Sequence, residues 1–400
     1  EFRRVLFRSG TLVSMRVVAL DFGAGIGGTV LAAYYAGYTL GAARAGRIIE
    51  RVGHIRAFAA LAGLVGAAVA LQPVLPWPAF WVLARGATGF GLAGLFIATE
   101  SWLNVKASPS SRGAVFALYM VATYATFGGG QFLLNIGDAQ GLELFALAAA
   151  LFCLALIPVS TTTAEVPRMP PGPRLSLREL RQLAPVAVFG CAAAGLIGST
   201  YYALVPAYAT MQGLPTSTIS LFVATAIFGG LAFQVPVGHL SDRFDRRLVA
   251  SLLALSLAAT AVAFVALTPE GWAPLVLTFI FGGFMSTIYP VCVAHANDRV
   301  APDRAVAVSG QLILVSGTAA CLGPIAGTWI MDHDDIDGVF LFMAAVMTPF
   351  ALFAIYRAVR VEKADPKARP FELLEQSVAQ QFAHTATAPL ALSERASSSG

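Results

Sequence analysis

Arg85 is the single charge in an apolar stretch of more than twenty residues, where it sits within Arg85-Gly86-Ala87-Thr88-Gly89-Phe90-Gly91. Near the centre of a membrane helix a charged side chain costs about 2.5–3.5 kcal/mol, so it faces the protein interior and is a functional candidate by default. Two chemistries suit it: pairing with the anionic group of a substrate, or biasing the protonation of a neighbouring acid. A purely structural role, locking helix-end carbonyls together, is the alternative. Glu100 lies fifteen residues on, about 22 Å away along a helix, too far to pair with Arg85. It reads either as a proton-carrying carboxylate or as a gate ion pair with Arg51, Arg112, Arg243 or Arg304. Its place one turn from the end of the run suits the gate better. Tyr34, Tyr35, Tyr38, Tyr119, Tyr124, Gln131, Asn135, Tyr201, Tyr202 and Gln234 are polar groups deeper in apolar runs and could line a cavity. A tyrosine offers a hydroxyl and a flat apolar face, useful for neutral or aromatic ligands. Taken singly, each also fits an ordinary bond between helices.

The remaining reactive side chains argue against an enzyme. The five histidines, His54, His239, His295, His333 and His384, fall in loops, at run ends or in the tail. His295 and Asn297 close one run, a setting where histidine is more often structural than a relay. Cys153, Cys191, Cys292 and Cys321 sit inside apolar runs without metal-ligand spacing and read as small buried hydrophobes, with no disulfide. No nucleophile–base pair, metal site or cofactor motif is visible.

The elements that carry these residues are membrane helices. Hydrophobic residues make up 57% of the 400 and charged residues 12%, about half the usual charged fraction, too few to give a soluble protein its polar skin. The net charge of +4 is held in short strings between apolar runs, which excludes a nucleic-acid partner. Runs long enough to cross a bilayer fall at roughly 24–45, 57–75, 78–104, 113–135 and 142–160, then 184–208, 217–238, 247–268, 272–296, 305–330 and 338–358. Basic residues gather in alternate connections: Arg47, Arg51 and Arg56; Lys106 and Arg112; Arg243, Arg246 and Arg247; Arg299 and Arg304. The linker over 161–183 and the start of the tail are basic too, whereas the opposite turns contain no Lys or Arg. Basic connections stay on the cytoplasmic side, so linker and C-terminus are expected there.

Two of the basic strings are copies. Gly46-Arg47-Ile48-Ile49-Glu50-Arg51-Val52-Gly53-His54 and Gly238-His239-Leu240-Ser241-Asp242-Arg243-Phe244-Asp245-Arg246 stand 192 residues apart. The chain therefore reads as a duplicated membrane unit, an organisation typical of secondary transporters with a site between the halves. At the same offset the span 184–208 projects onto residues before the start, ending near Arg16. Residues 10–15 look like the end of a first helix, and 1–9, with three arginines, read as a cloning or assembly scar. The expected domains are 1–9; an N-terminal bundle, 10–160; a linker, 161–183; a C-terminal bundle, 184–358; and a mostly disordered tail, 359–400.

The double basic string resembles the signature of the major facilitator superfamily between its helices 2 and 3, with the weaker copy between helices 8 and 9. Glu100-Ser101-Trp102-Leu103-Asn104, Ser111-Arg112-Gly113 and Gly238-His239-Leu240-Ser241-Asp242-Arg243 look like its bacterial YcaD-like branch. Glu50, His54 and Asp245 depart from the pattern. Gly128-Gly129-Gly130-Gln131 lacks the Gly-Pro of drug/proton antiporters, which argues against that assignment. Arg85 resembles the family's helix-4 Arg-Gly motif, implicated in coupling in some members. The resemblance implies an all-α fold of two pseudo-symmetric bundles, with about eleven of twelve membrane helices present, in the bacterial inner membrane. It implies a secondary transporter, monomeric, moving a small molecule by alternating access, with protons as a candidate coupling ion and no cofactor. A uniporter, or a non-transporting receptor on the same fold, are the alternatives. A cytoplasmic gate would comprise Gly46, Glu50, Arg51, Arg56, Arg112, Gly238, Asp242, Arg243, Arg246, Arg247 and Arg304.

Overall fold

The computed structural model describes residues 8–106, 112–138, 140–160, 176–267, 271–300, 304–333 and 337–360. Most of the stretch read as a scar, the linker over 161–175 and the tail beyond 360 lie outside them. Thirteen α-helices follow in order among the described residues: α1 Arg8–Ala19, α2 Ala24–Val52, α3 His54–Leu71, α4 Pro78–Lys106, α5 Arg112–Gln131, α6 Glu143–Ser160, α7 Leu177–Leu183, α8 Pro185–Met211, α9 Thr216–Arg243, α10 Arg246–Leu267, α11 Ala273–Asn297, α12 Ala305–His333 and α13 Gly338–Arg360. Eight of them are long and apolar enough, by length and composition, to cross a membrane. Leu83, Leu118, Leu252 and Leu352 point outward, as side chains meeting lipid rather than water would. Trp77, Trp272 and Trp329 are exposed at the ends without basic residues, where aromatic rings anchor a span at the headgroups.

Two details of the expected spans change. The basic strings are not loops: α2 continues through Gly46 to Val52, and α9 through Gly238 to Arg243. Extending the helix keeps the backbone hydrogen-bonded and puts arginines at its negative C-terminal end. The first connection shrinks to Gly53, whose φ of 85° suits a residue without Cβ. In the second, Asp245 stands at the matching position. Its carboxylate accepts the backbone N–H of Arg247 at 2.9 Å, capping α10, so glycine is not required there. The second change is in the span 113–135, where the α-helix stops at Gln131 and the chain tightens into a 3-10 turn over Phe132–Ile136.

The duplication is visible in the packing. In the first half α2 packs on α4, α3 on α6 and α3 on α4; in the second α9 packs on α11, α10 on α13 and α10 on α11. Across the halves, α2 against α12 mirrors α5 against α9, and α1 lies on α8. Close approaches repeat at matching places in the two halves. A Cβ on Gly37 would lie 1.9 Å from the Gly86 carbonyl oxygen, and one on Gly229, 192 residues later, 2.0 Å from that of Phe279. A Cβ on Gly89 would meet the Tyr34 oxygen at 2.0 Å, and one on Gly282 the Ala226 oxygen at 2.2 Å. Small residues matter because lipid gives helices no hydrophobic drive to associate, so close van der Waals contact must hold them.

Gly37→Leu or Gly229→Leu is expected to abolish the monodisperse peak of detergent-solubilised protein on size-exclusion chromatography. Gly46→Ala, where nothing lies within 4 Å of the added methyl, should leave that peak intact.

Candidate functional site

Helix α4 places Arg85 one residue before the Gly86 contact with α2, so its side chain enters the seam between these helices. Only 3% of Arg85 is exposed. Its Cζ lies 4.5 Å from the centroid of the Tyr34 ring on α2, a cation–π stack. The buried Nε has no hydrogen-bond partner. Among the described residues no carboxylate pairs with the guanidinium and no carbonyl accepts from it. The ionisable side chains that act on it are Tyr34 and Tyr35, not an acid. Of the roles open from sequence, neither the lock onto helix-end carbonyls nor the biased acid has its partner here.

Arg85 borders a cavity of about 30 Å³, large enough to hold water. Thr11 and Ser14 of α1, Tyr34 and Tyr35 of α2, and Tyr202 of α8 share its wall. Both halves therefore contribute. The Tyr35 hydroxyl points across the boundary toward the Ser199 carbonyl oxygen, 3.5 Å away.

The other candidates divide by position. Tyr38 sits beside Tyr34, with ring centroids 6.1 Å apart. Tyr201 stacks on Phe281 of α11 and meets Tyr202 edge-on, and its own hydroxyl is buried without a partner. Gln234 Nε2 on α9 donates to the Tyr124 hydroxyl on α5 at 3.2 Å, a second bridge between the halves. Gln131 accepts from the Thr11 hydroxyl at 2.9 Å and so ties α5 to α1. Asn135 is exposed on the 3-10 turn, away from the cavity wall.

Glu100 is fully buried near the basic end of α4, and the Tyr119 hydroxyl donates to its Oε1 at 2.5 Å. Next to it His54 and Ser101 share a 2.8 Å bond. Of its expected gate partners, Arg51 and Arg243 are exposed and Arg304 is engaged by Glu179 of α7 at 2.7 Å; the Arg112 side chain lies outside the described residues. The linker helix thus clamps the α11–α12 connection. Ser176 caps it by accepting from the Glu179 N–H at 3.2 Å.

The two basic strings fold into unequal structures. In the second, Arg246 bridges Asp242 at 3.2 Å, Ser241 at 3.0 Å and Asp298 beyond α11 at 2.7 Å. Arg247 pairs with Asp245 at 2.8 Å and donates to the Arg357 carbonyl oxygen at 2.8 Å, fastening α10 to α13. This network joins helix ends within one half. In the first string Glu50, Arg51 and Arg56 are exposed and Gly46 is half-buried. His295 is buried with no hydrogen-bond partner for Nε2.

Sequence reasoning gave no role to Thr11, Ser14, Ser101, Glu179 or Asp298. Only Glu179 carried a local signal, the Ser176-Leu177-Arg178-Glu179 capping pattern.

The Major Facilitator Superfamily model matches residues 5–312 and 213–395. The chain belongs to this family. Among curated proteins it is 29% identical over 337 residues to "Uncharacterized MFS-type transporter YcaD" of Escherichia fergusonii, covering 83% of this chain and 86% of that one. It is 26% identical over 355 residues to "Uncharacterized MFS-type transporter YE1530" of Yersinia enterocolitica, covering 86% and 88%. Among solved structures, the nucleoside transporter NupG superposes with a TM-score of 0.72 at 16% identity, over 90% of this chain and 97% of that one. The D-xylose-proton symporter superposes with a TM-score of 0.65 at 18% identity, over 88% and 95%. The chain is a multi-pass membrane protein whose relatives are transporters rather than enzymes, and the YcaD-like resemblance holds.

A pH dependence follows from the second basic string. Burial alone would push the Asp245 carboxyl up. The hydrogen bonds and charge of Arg247 outweigh it and hold the group below its usual value of 3.8. A depressed carboxylate stabilises the fold above its unfolded pKa and loses that contribution as pH falls through the folded value. Asp245→Asn should lower the melting temperature at pH 7 and flatten its decline between about pH 5 and pH 3; wild-type slope in the variant would contradict the pairing.

Proposed function

We propose that this chain is a secondary transporter that carries a small molecule by alternating access, with the Arg85 cavity as its central site. One observation carries the reading: a buried guanidinium with no counter-ion among the described residues lies in a cavity walled by both halves of a duplicated bundle. A static core would be expected to satisfy such a charge internally, because leaving it unpaired is costly. A cargo that arrives and leaves accounts for it. The seam between halves, where α2 meets α12 and α5 meets α9 with the Tyr124–Gln234 bond across it, can open and reclose as rigid bundles rock.

The basic ends belong on the cytoplasmic side, following the distribution of Arg and Lys. There the Arg246–Asp298 and Arg247–Asp245 networks keep the second bundle rigid while the exposed first string engages and releases it. Glu100, with Tyr119, is the candidate proton carrier. A uniporter is the second reading. No carboxylate among the described residues reaches Arg85, so a proton on Glu100 would have to act over about 22 Å.

Metabolite profiling of cells with and without the chain should show a several-fold change in one or a few small molecules, absent with Arg85→Ala. An uncoupler that collapses the proton gradient separates the two readings. Loss of accumulation, reproduced by Glu100→Gln, supports proton coupling; unchanged accumulation supports uniport.

A further inference from the structure

We infer that the cavity at Arg85 receives the carboxylate of a small, flat organic monoanion; the inference deepens the transport reading and rests on its central site. The charge balance comes first. One guanidinium borders the space, and neither a second cation nor an acid accompanies it among the described residues. A monoanion neutralises it; a dianion such as phosphate would bring an uncompensated charge, and a cation would be repelled.

The donor set points the same way. The hydroxyls of Thr11 and Ser14 already donate, to Gln131 and to the Gly10 carbonyl oxygen, both at 2.9 Å. The guanidinium is left as the main free donor, with a buried Nε lacking any partner. Two parallel N–H donors match the two oxygens of a carboxylate. Size agrees as well. The cavity of about 30 Å³ is partly open and can seat a head group of two oxygens. Tyr34, Tyr35 and Tyr202 share the wall, and aromatic side chains there favour a flat apolar body beside that head group.

Binding is read on the purified full chain, in detergent, by thermal shift with three isosteric probes. Benzoate should raise the melting temperature by about 2 °C or more at ten times its dissociation constant, while benzamide and benzylamine leave it unchanged. Arg85→Gln should remove the benzoate shift, and Arg85→Lys should keep part of it. Equal shifts from benzoate and benzamide, no shift from benzoate, or a full benzoate shift in Arg85→Gln would each overturn the assignment. The comparison among probes stands on wild-type protein, so a variant that fails to fold does not blunt it. Radiolabelled benzoate flux into liposomes is scored separately. Benzoate binding without flux, and without exchange across the membrane, would leave the anion site intact and count against the transport reading.

Discussion

Lipid offers a helix bundle neither water for its polar groups nor a hydrophobic force to draw its helices together. In this chain the first requirement for packing is therefore backbone meeting backbone. Gly37 and Gly89 let α2 and α4 touch at carbonyl oxygens, and Gly229 and Gly282 do the same for α9 and α11. Each pair closes one half into a stiff unit. The glycine contacts between halves are mostly with side chains: Gly317 abuts the Thr39 side chain and Gly128 the Phe228 ring, while a Cβ on Gly28 would lie 3.1 Å from the Pro324 carbonyl oxygen. Side chains can change rotamer where backbones cannot yield, so the seam is the softer boundary.

The same solvent makes a buried polar group without a partner costly. Most hydroxyls bond to a carbonyl one turn back on their own helix, as Thr39 does to Tyr35 and Thr88 to Ala84. At the basic end of the second half, Arg246 and Arg247 are enclosed by aspartates and a carbonyl. Arg85 stands apart from this pattern, with an aromatic face in place of a counter-ion. That exception falls where the halves meet, the position at which a duplicated bundle can build a site from two different walls.

Much of this was legible in the residues. The 192-residue offset that aligns Gly46 with Gly238 also aligns Gly37 with Gly229, so one repeated string predicted the symmetry of the packing. Arg85, Tyr34 and Tyr202 stood out because polar groups are costly in apolar runs, and the structure brings them around one cavity. What was not legible were partnerships between elements distant in sequence. Nothing near Arg246 announces Asp298, and nothing near Arg304 announces Glu179, because such pairs depend on how helix ends are laid side by side. The helical course of the basic strings was missed for a related reason: charge marks where hydrocarbon ends, not where hydrogen bonding ends. Asn135 was placed with the cavity because it closes an apolar run, but the tightening of the chain after Gln131 turns it outward.

Transport as proposed requires two stiff halves to move against one another about the Arg85 cavity. It is tested most directly by the distance between spin labels at Val52 and Phe244, exposed residues at the basic ends of the two halves. In liposomes two distance populations are expected, with their ratio displaced when benzoate is added. A single distribution, unchanged by ligand and by pH, would contradict it.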